Sequence, residues 1–176
     1  MPEKIAFVAD GSNQLLDYYT SPKIYPFLDL TLAVLKSYGD VEVKWLYTDE
    51  KFPGIKGRTE ELGFEFRDRD REIADLPIKK AIERLLYRND LDIICIGSGD
   101  GGFTSHLKRI KNNGKKAFVS SIADSRLNHR LIKEADVTIA INEDSIRSFD
   151  SDYAHYKKLC GEISRDYPVE SGIITI

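Results

Sequence analysis

Three aspartates stand where the character of the chain changes. Asp10 closes the apolar run Ile5-Ala6-Phe7-Val8-Ala9, Asp100 follows the apolar run Ile93-Ile94-Cys95-Ile96-Gly97, and Asp75 opens a stretch of helical period between them. If the two runs are neighbouring parallel strands, Asp10 and Asp100 emerge at the same carboxyl edge, where open α/β sheets place their ligands. Carboxylates gathered there suit a hard divalent cation. Mg²⁺ is typically held by one or two of them, with waters and substrate phosphates completing its shell.

The elements that must position these residues are legible as alternation. Short β-rich runs near 4–9, 41–47, 63–67, 92–97, 116–120 and 136–141 alternate with stretches of helical period, the pattern of βα units that build a parallel sheet. Phe27, Leu30, Leu32, Ala33 and Leu35 fall on one helical stripe; so do Ile78, Ala81, Ile82, Leu85 and Leu86, and then Phe103, Leu107 and Ile110. Gly39 and Gly114 each follow a turn carrying a cation and are expected to stop helices in the left-handed conformation. Glu50 to Gly63 is expected to be a loop with one short helix from Thr59. After Asn142 the pattern weakens, and Asp150-Ser151-Asp152 reads as a cap for a terminal helix bearing Tyr153, Tyr156, Leu159, Cys160 and Ile163. The closing Gly172-Ile173-Ile174-Thr175-Ile176 would add an edge strand or mediate a homodimer contact.

Length and composition narrow the class. At 176 residues, 41% hydrophobic and 31% charged, the chain suits one globular domain with a sizeable core. No apolar run approaches the roughly 20 residues of a membrane span, and Met1-Pro2-Glu3-Lys4 leads directly into a strand, so a cytoplasmic protein without membrane contact is expected. Two cysteines, one inside a strand and one in a late helix, support neither a disulfide framework nor a zinc site and read as packing residues. The net charge of −3 offers no general attraction for nucleic acid, so any such contact must be local. Basic residues cluster in 51–58, 67–71 and 108–116, runs that most often form solvated faces.

Asp10-Gly11-Ser12-Asn13 after the first strand and Ser98-Gly99-Asp100-Gly101-Gly102-Phe103 after the fourth resemble the two hallmark motifs of the NYN domains, a branch of the PIN-like nucleases. Asp75, 25 residues before Asp100, stands where that family carries an acid at the start of the preceding helix. Asp92, Lys115-Lys116-Ala117-Phe118-Val119 and Leu131-Ile132-Lys133-Glu134-Ala135-Asp136 extend the likeness over residues 4 to 142. The resemblance implies a single Rossmann-like, three-layer α/β domain with a mostly parallel central sheet. Residues 1–142 would form the nuclease unit, with 143–176 as a helix and tail packed on it.

The resemblance further implies a hydrolase dependent on Mg²⁺ or Mn²⁺, acting on RNA and leaving 5′-phosphate and 3′-hydroxyl ends. Asp10, Asp75 and Asp100 would hold the metal. Asn13, Ser98 and Ser12 would contact carboxylates or phosphate, and Lys23 and Lys56 the RNA backbone, with Tyr18, Tyr19 and Tyr25 placed to stack bases or to cover a sheet edge. Two departures stand out. Gly102 occupies the position of a usual family acid, and Ala74-Asp75-Leu76-Pro77 lacks the family's Lys-Gly before its acid. Asp124, after the fifth strand, is the candidate to replace the missing acid, and is equally readable as a helix cap. The same fold without turnover would be an RNA-binding or protein-interaction module, and a glycine loop that grips a nucleotide would make a phosphate-ligand binder.

Overall fold

The computed structural model describes residues 1–11, 24–48, 55–68, 76–123, 127–166 and 170–176. Their strands are β1 (Glu3–Asp10), β2 (Gly39–Thr48), β3 (Glu65–Asp68), β4 (Ile93–Gly97), β5 (Lys116–Ile122), β6 (Val137–Ile141) and β7 (Gly172–Thr175). The helices are α1 (Ile24–Tyr38), α2 (Ile55–Glu61), α3 (Leu76–Leu86), α4 (Thr104–Asn112), α5 (His129–Glu134), α6 (Glu143–Ser151) and α7 (Tyr153–Asp166). The strands join in one sheet of order β3-β2-β1-β4-β5-β6-β7. Every pairing is parallel.

Both faces of this sheet are covered, which is why its central strands are apolar runs rather than alternating ones. Ile5, Phe7 and Ala9 of β1 pack with α1, α6 and α7, while Ala6 and Val8 pack with α3, α4 and α5. The result is a three-layer α/β domain. The α6–α7 connection from β6 to β7 crosses on the α1 face, although α4 and α5, which lead the chain in the same direction across the sheet, cross on the other. That last crossover is therefore opposite in hand to its neighbours, against the usual preference.

Several expectations change. Gly114 has φ +74° and ends its helix as expected, but Gly39 is not in the left-handed region. It opens β2 beside Glu3, and a Cβ there would lie 1.9 Å from the Glu3 carbonyl oxygen, so glycine is needed for strand approach rather than for a turn. The short helix α2 begins at Ile55, with Thr59 inside it. A helix absent from the sequence reading, α6, fills 143–151, and Asp152 then caps α7 by accepting the His155 amide at 3.0 Å. The final residues pair with β6 as the edge strand β7.

Candidate active site

The chain leaves β1 towards β2 and β3, then returns across the sheet to β4 on the other side of β1. The carboxyl ends of β1 and β4 therefore flank a topological switch point, the place where the outgoing connections diverge and a crevice opens. Ala9 and Gly97 form the last pair of that ladder, and Asp10 and Ser98 are the next residues along the chain. Asp10 is 3% exposed and Ser98 fully buried. Asp10 is not a bare charge; it engages other groups of the chain.

Asp100 is set by its own loop. Its side chain accepts the Gly102 amide at 2.9 Å and caps the single 3₁₀ turn Gly101–Phe103 that leads into α4. One of the carboxylate's lone-pair sites is used in this way, and ionised aspartate has about four. The Gly102 amide at the start of this turn is thus taken up by Asp100. Ser98 Oγ accepts the Asp100 amide at 3.2 Å, so the serine holds the loop through its oxygen.

Asn128 completes the support. Its backbone amide donates to Gly99 O at 3.0 Å, and its side-chain oxygen accepts the Arg130 amide, capping α5. A Cβ on Gly101 would lie 2.6 Å from Asn128 Nδ2, so that glycine is required by close approach. Gly102 differs. A Cβ there meets the Asp100 carboxylate at an ordinary 3.4 Å, and nothing in the fold forbids a side chain. The departure from the family acid is a local change of chemistry, not a backbone necessity.

Of the sequence-predicted residues, Asp10, Ser98 and Asp100 are brought together at this edge. Asp75, Ser12, Asn13, Lys23 and Asp124 lie outside the described residues, as do Tyr18 and Tyr19. Among the described residues no three His, Cys, Asp or Glu side chains form a cluster able to hold a metal. Lys56 sits elsewhere. Its ammonium lies 5.9 Å from the Phe66 ring, and Phe66 packs on the α1 face of the sheet, opposite the face that Asp10 shares with Ala6 and Val8. Tyr25 packs its ring on Phe149 at 5.2 Å.

Arg67, which the sequence did not single out, lies on the Asp10 face. Register aligns Asp10 with Tyr47 and Tyr47 with Arg67, so these three side chains share one face in a row across the carboxyl edge. Burial pushes the Tyr47 phenol above its usual range, an effect partly offset by the Arg67 cation beside it. The signal lay in Glu65-Phe66-Arg67, whose alternation puts Phe66 on one face and Arg67 on the other.

The NYN domain model matches residues 4–142. The chain belongs to the NYN domain family. This family consists in general of nucleases, with RNA as the general substrate. A Vibrio parahaemolyticus protein of unknown function is similar in fold, with a TM-score of 0.60 and 24% identity over 81% of this chain and 95% of that one. The MAR1 ribonuclease of Caenorhabditis elegans aligns with a TM-score of 0.42 and 12% identity over 96% of this chain and 93% of that one. The search of curated proteins returned no match. No helix among the described residues is long and apolar enough to cross a membrane.

Proposed function

We propose that this NYN-domain protein is a metal-dependent ribonuclease, hydrolysing RNA phosphodiester bonds at the carboxyl edge of β1 and β4. The observation that carries the reading is the placement of Asp10 and a preset Asp100 on either side of the switch point. The donor set fits a divalent cation. It is all oxygen, without histidine or cysteine, which suits Mg²⁺ or Mn²⁺ rather than a softer metal.

Asp10 and Asp100 would hold the ion, with Asp75 and Asp124 as the further carboxylates the family resemblance offers. The chemistry such an ion supplies is a lowered pKa for a bound water and neutralisation of charge on the phosphate. The chain's own contribution is position. The Gly102 amide and Ser98 fix the Asp100 loop, and Asn128 fixes that loop against α5, so the carboxylate needs no reordering when substrate arrives. Burial of Asp10 means that a cation bound there would meet little solvent screening.

The test is cleavage of a mixed set of structured and single-stranded RNAs with Mg²⁺, with Mn²⁺ and with chelator. Metal-dependent cutting by the wild type, lost in Asp10→Asn, is the expected result. A folded wild type that cuts none of these RNAs would instead favour the binding-module reading, to which the missing acid at Gly102 points.

A further inference from the structure

Two buried side-chain polar atoms have no hydrogen-bond partner among the described residues, Thr48 Oγ1 and Arg67 Nε. Both lie at the carboxyl ends of strands, beside the edge that carries Asp10. Buried donors are nearly always satisfied, so an orphaned N–H on a cation calls for an acceptor beyond those the described residues supply.

Arg67 is built for a particular kind of acceptor. Its guanidinium carbon lies 4.3 Å from the Trp45 ring centroid, which fixes the plane, and Nη2 donates to Glu65 Oε1 at 2.9 Å. The side chain is 31% exposed, so a ligand can reach it from solvent. A guanidinium so held offers a flat fork of donors that matches a phosphate. The Glu65 pair does not preclude this, because exposed ion pairs of this kind contribute little and yield to a stronger anion.

Position then decides which phosphate. Arg67 stands two strands from Asp10 on the same face, a separation of about 10 Å at the usual strand spacing. With the guanidinium held on Trp45 and Glu65, two residues back along β2 and β3, it is turned away from the Asp10 centre and suits a neighbouring phosphate on the same strand. We propose that Arg67, braced on Trp45, forms a subsite for a phosphate flanking the scissile one in a bound RNA. The subsite rests on the nuclease reading above and assigns the β3 side of the edge to the substrate backbone.

The test measures affinity rather than turnover, with a labelled single-stranded RNA in chelator so that nothing is cut, across a range of salt. Arg67→Gln is expected to weaken binding about tenfold and to lower the slope of log K against log salt by about 0.7, one phosphate contact's worth. Arg67→Lys should restore the slope without restoring the full affinity, since it keeps the charge and loses the fork. Glu65→Gln should tighten binding, and that gain should vanish when combined with Arg67→Gln. This second pair keeps the test sound if Arg67→Gln alone folds poorly.

A folded Arg67→Gln protein with wild-type affinity and salt slope would overturn the subsite, as would a Glu65→Gln gain that persists without Arg67. If the wild type still cuts RNA with metal in that case, the nuclease reading stands and only the subsite falls. A wild type that neither cuts nor binds RNA removes both.

Discussion

The two edges of the sheet differ in how they treat charge. At the amino edge, polar groups are paired within the chain: Lys4 with Glu42 at 2.8 Å, Lys116 with Glu3 at 2.7 Å, Arg88 with Asp90, and the Lys4 amide with Asp92 at 2.8 Å. Lys115 donates to the carbonyls of Arg88 and Leu91, both at 2.7 Å. An open 320 Å³ cleft there is lined by several of these groups, and their pairing explains it as surface relief. The carboxyl edge has a buried Asp10, an Asp100 fixed by a backbone amide, and both orphaned buried atoms of the described residues. Groups that satisfy one another stabilise a fold, whereas Thr48 Oγ1 and Arg67 Nε, buried with no partner among the described residues, leave the carboxyl edge open to a ligand.

The sharpest way to break this contrast is to neutralise one aspartate at each edge. Asp10→Asn or Asp100→Asn is expected to lower metal-dependent RNA cleavage by about 10³-fold, the upper range for losing a preorganised electrostatic group, in a steady-state assay. Asp92→Asn at the amino edge should leave the rate unchanged.

Glycine substitutions separate stability from chemistry. Gly39→Ala drives a Cβ against the Glu3 carbonyl and should cost about 3 kcal/mol in chemical denaturation, with normal turnover per folded molecule. Gly101→Ala displaces Asn128 and the Asp100 loop instead. It should lower turnover about 10- to 100-fold, the range for losing a supporting contact, with a smaller change in stability. Gly102→Asp, where space exists, should fold normally and bind Mn²⁺ more tightly in a titration, because it adds a carboxylate beside Asp100.

The smallest effect lies in the exposed Arg88–Asp90 pair. The hydrogen bond from Arg88 holds the Asp90 carboxyl down at about 2. A depressed folded pKa means that the pair's contribution is present above the ordinary carboxylate range and lost as pH falls through about 2. In Arg88→Gln the Asp90 titration, followed by NMR, should move up towards its usual value, while RNA cleavage at neutral pH should not change.

How much of this was legible in the chain depended on whether a feature was local. The strands declared themselves because burial on both faces writes continuous apolar runs, and Asp10 and Asp100 declared themselves as polar punctuation after two of them. Gly39 and Gly114 look alike in sequence, each after a basic helical turn, yet Gly39 answers to Glu3 across the sheet, a contact no local pattern encodes. The helix α6 was hidden because it is short and buries little beyond Ile146 and Ser148. Arg67 sits in a basic run that reads as solvated surface, whereas Lys56 reads as an RNA-backbone contact. Only the order and register of β1, β2 and β3 reveal that Arg67 shares the Asp10 face and Lys56 does not.

The central claim is that the carboxyl edge binds a divalent cation through Asp10 and Asp100, and Mn²⁺ binding followed by electron paramagnetic resonance tests it most directly. The wild type and Asp92→Asn should take up the ion with equal affinity, and Asp10→Asn and Asp100→Asn should each bind it far more weakly. Equal Mn²⁺ affinity in all four proteins, or none in the folded wild type, would contradict the account.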